Sequence, residues 1–229
     1  MTSTVERPSV RQALHADVAA RITRLQEGYL DRRGPAAQAS AQGDLARLRA
    51  ADPADPVGRP DIWQVTSDAT SDLISPRNGP DEPTAAESAR HCAMVLYALH
   101  QQGKDQPMHR AKVGFAQAVR VLGSKRAAAG EESDPSVRGR FDQVILASTL
   151  AVRAEHLKSL VRMMRSEDVG FDYCRLAVDL YDMSTPDGAR RVRLAWARDL
   201  YRRADSESVP NNDQTDTLHA HHETEGDLS

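Results

Sequence analysis

The chain has 229 residues, of which 40% are hydrophobic but only 4% aromatic, so it is long enough for a sizeable core and is built of residues that suit helices better than sheets. Two cysteines exclude a disulfide framework, and no run of about 18 apolar residues is present to span a bilayer. The net charge of −3 hides a division: residues 205–229 hold seven acids and neither Lys nor Arg, whereas residues 84–204 hold 20 basic and 14 acidic side chains. A basic body is compatible with a polyanionic partner, and an acidic tail that buries little apolar surface is expected to be disordered.

In chain order, Leu14, Val18, Ile22, Leu25 and Tyr29 fall at helical spacing and predict an amphipathic helix from about Val10 to Arg32. Gly34-Pro35 should stop it. A shorter helix follows over residues 36–50, with Leu45 and Leu48 inward. The Pro-, Asp- and Gly-rich stretch from 51 to 83 reads as loop, with one short helix near Pro60 carrying Ile62 and Val65. Thr84 and Glu87 have capping-box spacing and open a helix that buries Cys92, Val95, Leu96 and Leu99 and ends near Gly103. Phe115, Val119 and Leu122 mark the next. Asp134-Pro135 starts a helix presenting Val137, Phe141, Val144 and Ile145. Leu157, Leu160, Val161 and Met164 line another, Asp172 caps a third with Leu176 and Leu180, and Thr185-Pro186 begins the last, with Val192, Trp196 and Leu200. Nothing alternates like a strand, so the fold class is all-α. Short connections favour antiparallel neighbours.

Catalytic motifs are missing: there is no Walker loop, GxGxxG, GxSxG or HExxH. No catalytic residue, cofactor or metal site, and no small-molecule substrate, is therefore expected. His91 and His100 sit nine residues apart on one helix and point about 180° from each other. His219, His221 and His222 fall in the acidic tail. Both cysteines lie in apolar helical patterns and read as buried, reduced thiols. The N-terminal MTSTVERPSV lacks the layout of a signal peptide, which makes the cytoplasm the expected location.

The basic residues are more informative. Lys158, Arg162 and Arg165 form one helical stripe at i, i+4 and i+7. Arg191, Arg198 and Arg202 form a second at i, i+7 and i+11, with Arg190, Arg193 and Arg203 nearby. Arg47 and Arg49 close the second helix, Lys125 and Arg126 follow Gly123, and Arg138 and Arg140 lie on the helix after Asp134. The last helix carries arginine and no lysine, and a planar guanidinium fork suits phosphate better than a point charge. These fourteen residues (Arg203 apart) are the candidate nucleic-acid ligands.

From Ser136 onward the chain resembles the CasB family, the small subunit of the type I-E CRISPR Cascade surveillance complex. The resemblance is carried by Val137-Arg138-Gly139-Arg140-Phe141, by Leu157 through Met164, by Val169-Gly170-Phe171-Asp172-Tyr173 with Arg175-Leu176, and above all by Arg191 through Tyr201. Upstream, Leu45-Ala46-Arg47-Leu48-Arg49 is similar to the family's arginine-bearing N-terminal motif. Tyr173 stands where the family often has Trp, and the 51–83 loop and the tail depart from the family pattern. The resemblance implies two helical bundles, at 1–130 and 131–204, followed by the tail at 205–229. It implies a non-catalytic subunit present in two head-to-tail copies among other Cascade subunits, contacting guide RNA, target strand and displaced strand and so stabilising the R-loop. A helical DNA-binding transcription regulator and a helical scaffold binding only proteins remain as alternatives on the residues alone.

Overall fold

The computed structural model describes residues 8–67 and 71–202. The expectation of a disordered tail lies outside the described residues. Within them the fold is all-helical: α1 (Val10–Tyr29), α2 (Pro35–Arg49), a 3-10 turn (Pro60–Ile62) running into α3 (Trp63–Thr66), α4 (Ala85–Gln101), α5 (Phe115–Arg126), α6 (Pro135–Leu146), α7 (Leu150–Ser166), α8 (Tyr173–Asp182) and α9 (Pro186–Tyr201). Among the described residues the sole β-type pairing is an isolated parallel bridge between His109 and Phe171.

The helix starts follow side-chain capping. Ser9 and Gln12 form a capping box on α1, as Thr84 and Glu87 do on α4. Asp134, Thr149, Asp172 and Thr185 each accept backbone N–H bonds at the starts of α6 to α9, satisfying donors that have no partner within the helix. One expectation needs correction. Pro35 does not simply stop α1; it occupies the first turn of α2, entered from Gly34 at φ 88°, where a missing N–H costs nothing. The two helices then cross closely at Gly28, whose absent Cβ would sit 2.9 Å from the Ala37 carbonyl oxygen and from the Ala41 methyl.

Packing runs across the described residues from α1 to α9. α1 lies on α2 and α8, α4 on α8, α7 and α2, α5 on α9, and α6 on α7. The division expected at residue 130 falls between α5 and α6, and one continuous core crosses it, from Leu14 and Ile22 to Phe141 and Trp196. Six of the few aromatic side chains form a connected cluster in that core. Tyr97 meets Tyr173, Tyr173 meets Phe171, Phe171 meets Phe115, and Phe115 meets both Phe141 and Trp196, with ring centroids 4.3–6.1 Å apart. Edge and tilted contacts of this kind add to the burial of the rings.

The described part of the 51–83 segment packs against the helices despite its loop-like composition. It contributes Ile62, Val65 and Ile74 to the core, and the Asp52 carbonyl lies 2.8 Å from His91 Nε2 on α4. A buried polar cluster fastens α1 to its surroundings. Arg21 donates to both Asp17 oxygens and to the Val65 carbonyl, and the fully buried Arg90 of α4 lies 3.6 Å from Asp17 and 3.3 Å from Ser75 Oγ. Cys92 and Cys174 are buried and unpaired with each other, and burial pushes both thiols up to about 12.

Candidate nucleic-acid interface

The apolar positions of α7 and α9 decide where their arginines go. In α7, Ala154, Leu157, Leu160, Val161 and Met164 are buried, which leaves Lys158, Arg162 and Arg165 on one flank, within about 60° of one another at 100° per residue. In α9, Ala189, Val192 and Trp196 face the core. Arg191, Arg198 and Arg202 then share one flank within about 40°, Arg193 lies about 160° from that flank, and Arg190 points outward. α7 packs on α4, α6 and α5, whereas α9 packs on α5 and α8.

Many of these cations already hold the fold together. Lys125 Nζ donates to the Glu167 carbonyl (2.7 Å), and Arg126 reaches Glu167 Oε1 (2.8 Å) and Asp134 Oδ2 (3.3 Å), tying the end of α5 to the C-cap of α7 and the N-cap of α6. Arg165 donates to Gln102 Oε1 (2.7 Å) beside the last carbonyls of α4, Arg140 to Ser159 Oγ (3.0 Å), and Lys158 to Glu155 (3.0 Å). Arg47 pairs with Asp44 at 2.6 Å, and Arg49, two residues on, lies on a different face of α2. Arg190 pairs weakly with Asp187 at 3.5 Å, in full solvent. Arg49, Arg162, Arg191, Arg193 and Arg198 have no ion pair or side-chain hydrogen bond among the described residues, and the last four are exposed.

The structure adds one arginine that the sequence did not single out. A groove of about 610 Å³ opens between α5, the start of α6 and the end of α9, lined by Arg120, Arg138, Arg202, Tyr201 and the acidic Glu132. Arg120 Nη1 donates to the Arg202 carbonyl (2.7 Å), and the Arg138 guanidinium lies 4.9 Å from the centre of the exposed Tyr201 ring. An aromatic face beside three guanidinium groups suits a strand whose phosphates seek cations and whose bases stack. An isolated Arg in the middle of α5 forms no stripe and gives no sequence signal; its company arrives from residues 18 and 82 positions away. Arg153 was missed for the opposite reason. It is 4% exposed and donates to the Val144 and Ala147 carbonyls, closing the C-terminus of α6. Burial and the nearby Arg193 hold its pKa below the usual guanidinium value.

No helix of the described residues is long and apolar enough to cross a membrane. A family model described as CRISPR-associated protein Cse2 matches residues 44–201. The chain is similar to the crystal structure of CasB from Thermobifida fusca, at 32% sequence identity and a TM-score of 0.64, over 82% of this chain and 97% of that one. No curated protein matches.

Proposed function

The chain belongs to the CRISPR-associated Cse2 (CasB) family and is a structural subunit of the CRISPR Cascade complex, and from that premise we propose that it acts without catalysis in the cytoplasm, holding guide RNA and both DNA strands by their backbones alongside a second copy of itself and the other Cascade subunits. The observation that supports this reading most is the set of exposed guanidinium groups left unpaired on α9, next to the Arg120–Arg138–Arg202 groove. Replacing a DNA duplex by an RNA–DNA duplex is nearly balanced in energy, so phosphate contacts of a few kcal/mol decide whether the R-loop persists. Such contacts position a strand and leave sequence reading to base pairing with the guide.

The test is to replace Arg162, Arg191, Arg193 and Arg198 with Gln together. Four lost single-strand phosphate contacts should flatten the slope of log K against log salt by about 3, at 0.7 per contact. The assembled complex should still capture target at its first paired segment, with a shorter R-loop lifetime. A variant that folds, assembles and leaves both the salt slope and the lifetime unchanged refutes the proposal.

A further inference from the structure

Beyond the basic surface, one cluster combines three metal-ligating chemistries. His15 projects from α1, His109 from the loop between α4 and α5, and Asp172 and Cys174 stand at the start of α8. Ligand atoms of His15, Asp172 and Cys174 all lie within 4.8 Å of one another. Cys174 Sγ is also 4.0 Å from His109 Nε2. Asp172 and Cys174 are buried while His15 is exposed, so the cluster has a rigid floor and one ligand that can close from the solvent side.

We propose that His15, Asp172 and Cys174 form a site for a zinc-class divalent cation that fastens the first helix to the eighth. Thiolate, imidazole and carboxylate together suit zinc, whose ligands lie 2.0–2.3 Å from the ion and hence about 3.5 Å from each other in a tetrahedron. The exposed His15 ring, on the open side of the cluster, is the ligand with room to close toward that spacing.

The surroundings supply the outer shell that such a site needs. Asp172 Oδ1 accepts from the Cys174 and Arg175 N–H groups (2.9 and 3.1 Å), and Oδ2 accepts from the Lys112 N–H (2.9 Å). The carboxylate is thereby fixed, with one lone pair left for a cation. His109 Nδ1 accepts from the Tyr173 N–H (3.2 Å), so the neutral ring carries its proton on Nε2 and turns that N–H toward Cys174 Sγ. His109 is thus a donor to the thiolate, and water fills the fourth position. On binding, the Sγ–H bond breaks, the proton leaves to solvent and the sulfur pair bonds to the metal, so one proton is released per ion at neutral pH.

The experiment titrates the metal-free full-length chain with Co²⁺. The parent should bind one equivalent with a thiolate-to-cobalt charge-transfer absorption, release one proton per ion, and lose the absorption when Zn²⁺ is added. Cys174→Ser should lose the absorption and the proton release. His15→Ala, which alters an exposed side chain and leaves the core intact, should weaken binding more than about tenfold. Cys92→Ser and a chain lacking residues 205–229, with their three histidines, should both bind like the parent. No absorption in the parent, its persistence in Cys174→Ser, parent-like affinity in His15→Ala, or its loss with the tail each overturns the proposal.

Discussion

Asp179 offers a quantitative test of how the last two helices pack. Its carboxylate accepts from Trp196 Nε1 at 2.8 Å, at the base of the aromatic cluster. Burial pushes the Asp179 carboxyl up to about 6, with the Trp196 bond and Arg175 pulling it partly back and Asp182 and Asp199 adding to the rise. Between the unfolded value near 4 and the folded value near 6, the native protein keeps a proton that the unfolded chain has lost. Stability therefore falls as pH rises through that window and levels off above it. A shift of roughly two pKa units corresponds to at most about 3 kcal/mol, and partial solvent access reduces this to on the order of 1–3 kcal/mol. Asp179→Asn removes the charge and keeps an oxygen to accept from Trp196. Thermal melts of parent and variant should coincide near pH 4. At pH 7 the variant should be more stable by that amount, or roughly 3–10 °C for a protein of this size. The neutral, buried His100, held down to about 3 by burial, makes both proteins acid-sensitive and drops out of the difference. An equal difference at pH 4 and pH 7, or a variant less stable at neutral pH, refutes the reasoning.

Thr84→Ala should cost about 1–2 kcal/mol in urea melts, because it removes the α4 capping box and the 2.8 Å bond to the Ile74 carbonyl. Arg153→Ala should cost about 2–4 kcal/mol, since the last carbonyls of α6 lose their buried donor and a cavity remains; chemical denaturation measures it. Deleting residues 206–229 removes most of an acidic segment that directly follows the basic α9. Non-specific DNA binding should tighten at low salt and converge with the parent at physiological salt, where the Debye length is about 8 Å; filter binding across a salt series reads this.

Helix starts were legible because capping is local. Thr84 with Glu87, Asp134-Pro135, Asp172 and Thr185-Pro186 each announce a helix within four residues, and the structure places a capped start at each. Gly34-Pro35 reads as the stop of the first helix, but α1 is already capped at Leu30, and the Gly-Pro pair serves to open α2. The helical stripes were also legible, since heptad-like spacing fixes which residues share a flank. What local spacing cannot show is the far partner. Arg165 is occupied by Gln102 and Arg126 by Glu167, 63 and 41 residues away, and only the fold reveals that. The buried Arg90 escaped for the same reason, since Asp17 lies on another helix, whereas Arg21 and Arg153 each have acceptors within nine residues and escaped because spacing alone does not show that a guanidinium is buried.

The seat of α8 against both α1 and α4 sets a clock on synthesis. The ribosome releases Val10 163 residues before Tyr173, the first residue of the helix that covers it. At about 5–20 residues per second, the apolar face of Leu14, Val18, Ile22 and Leu25 waits roughly 8–30 s for that cover. Helices form in about a microsecond, so throughout this interval α1 is formed but incompletely covered, with α2 and, once it emerges, α4 to shield it. A chain cut in the loop between α5 and α6 would leave the α8 side of that face uncovered permanently. The nascent chain therefore passes through a long, aggregation-prone stage in which a chaperone that holds apolar helices has something to grip.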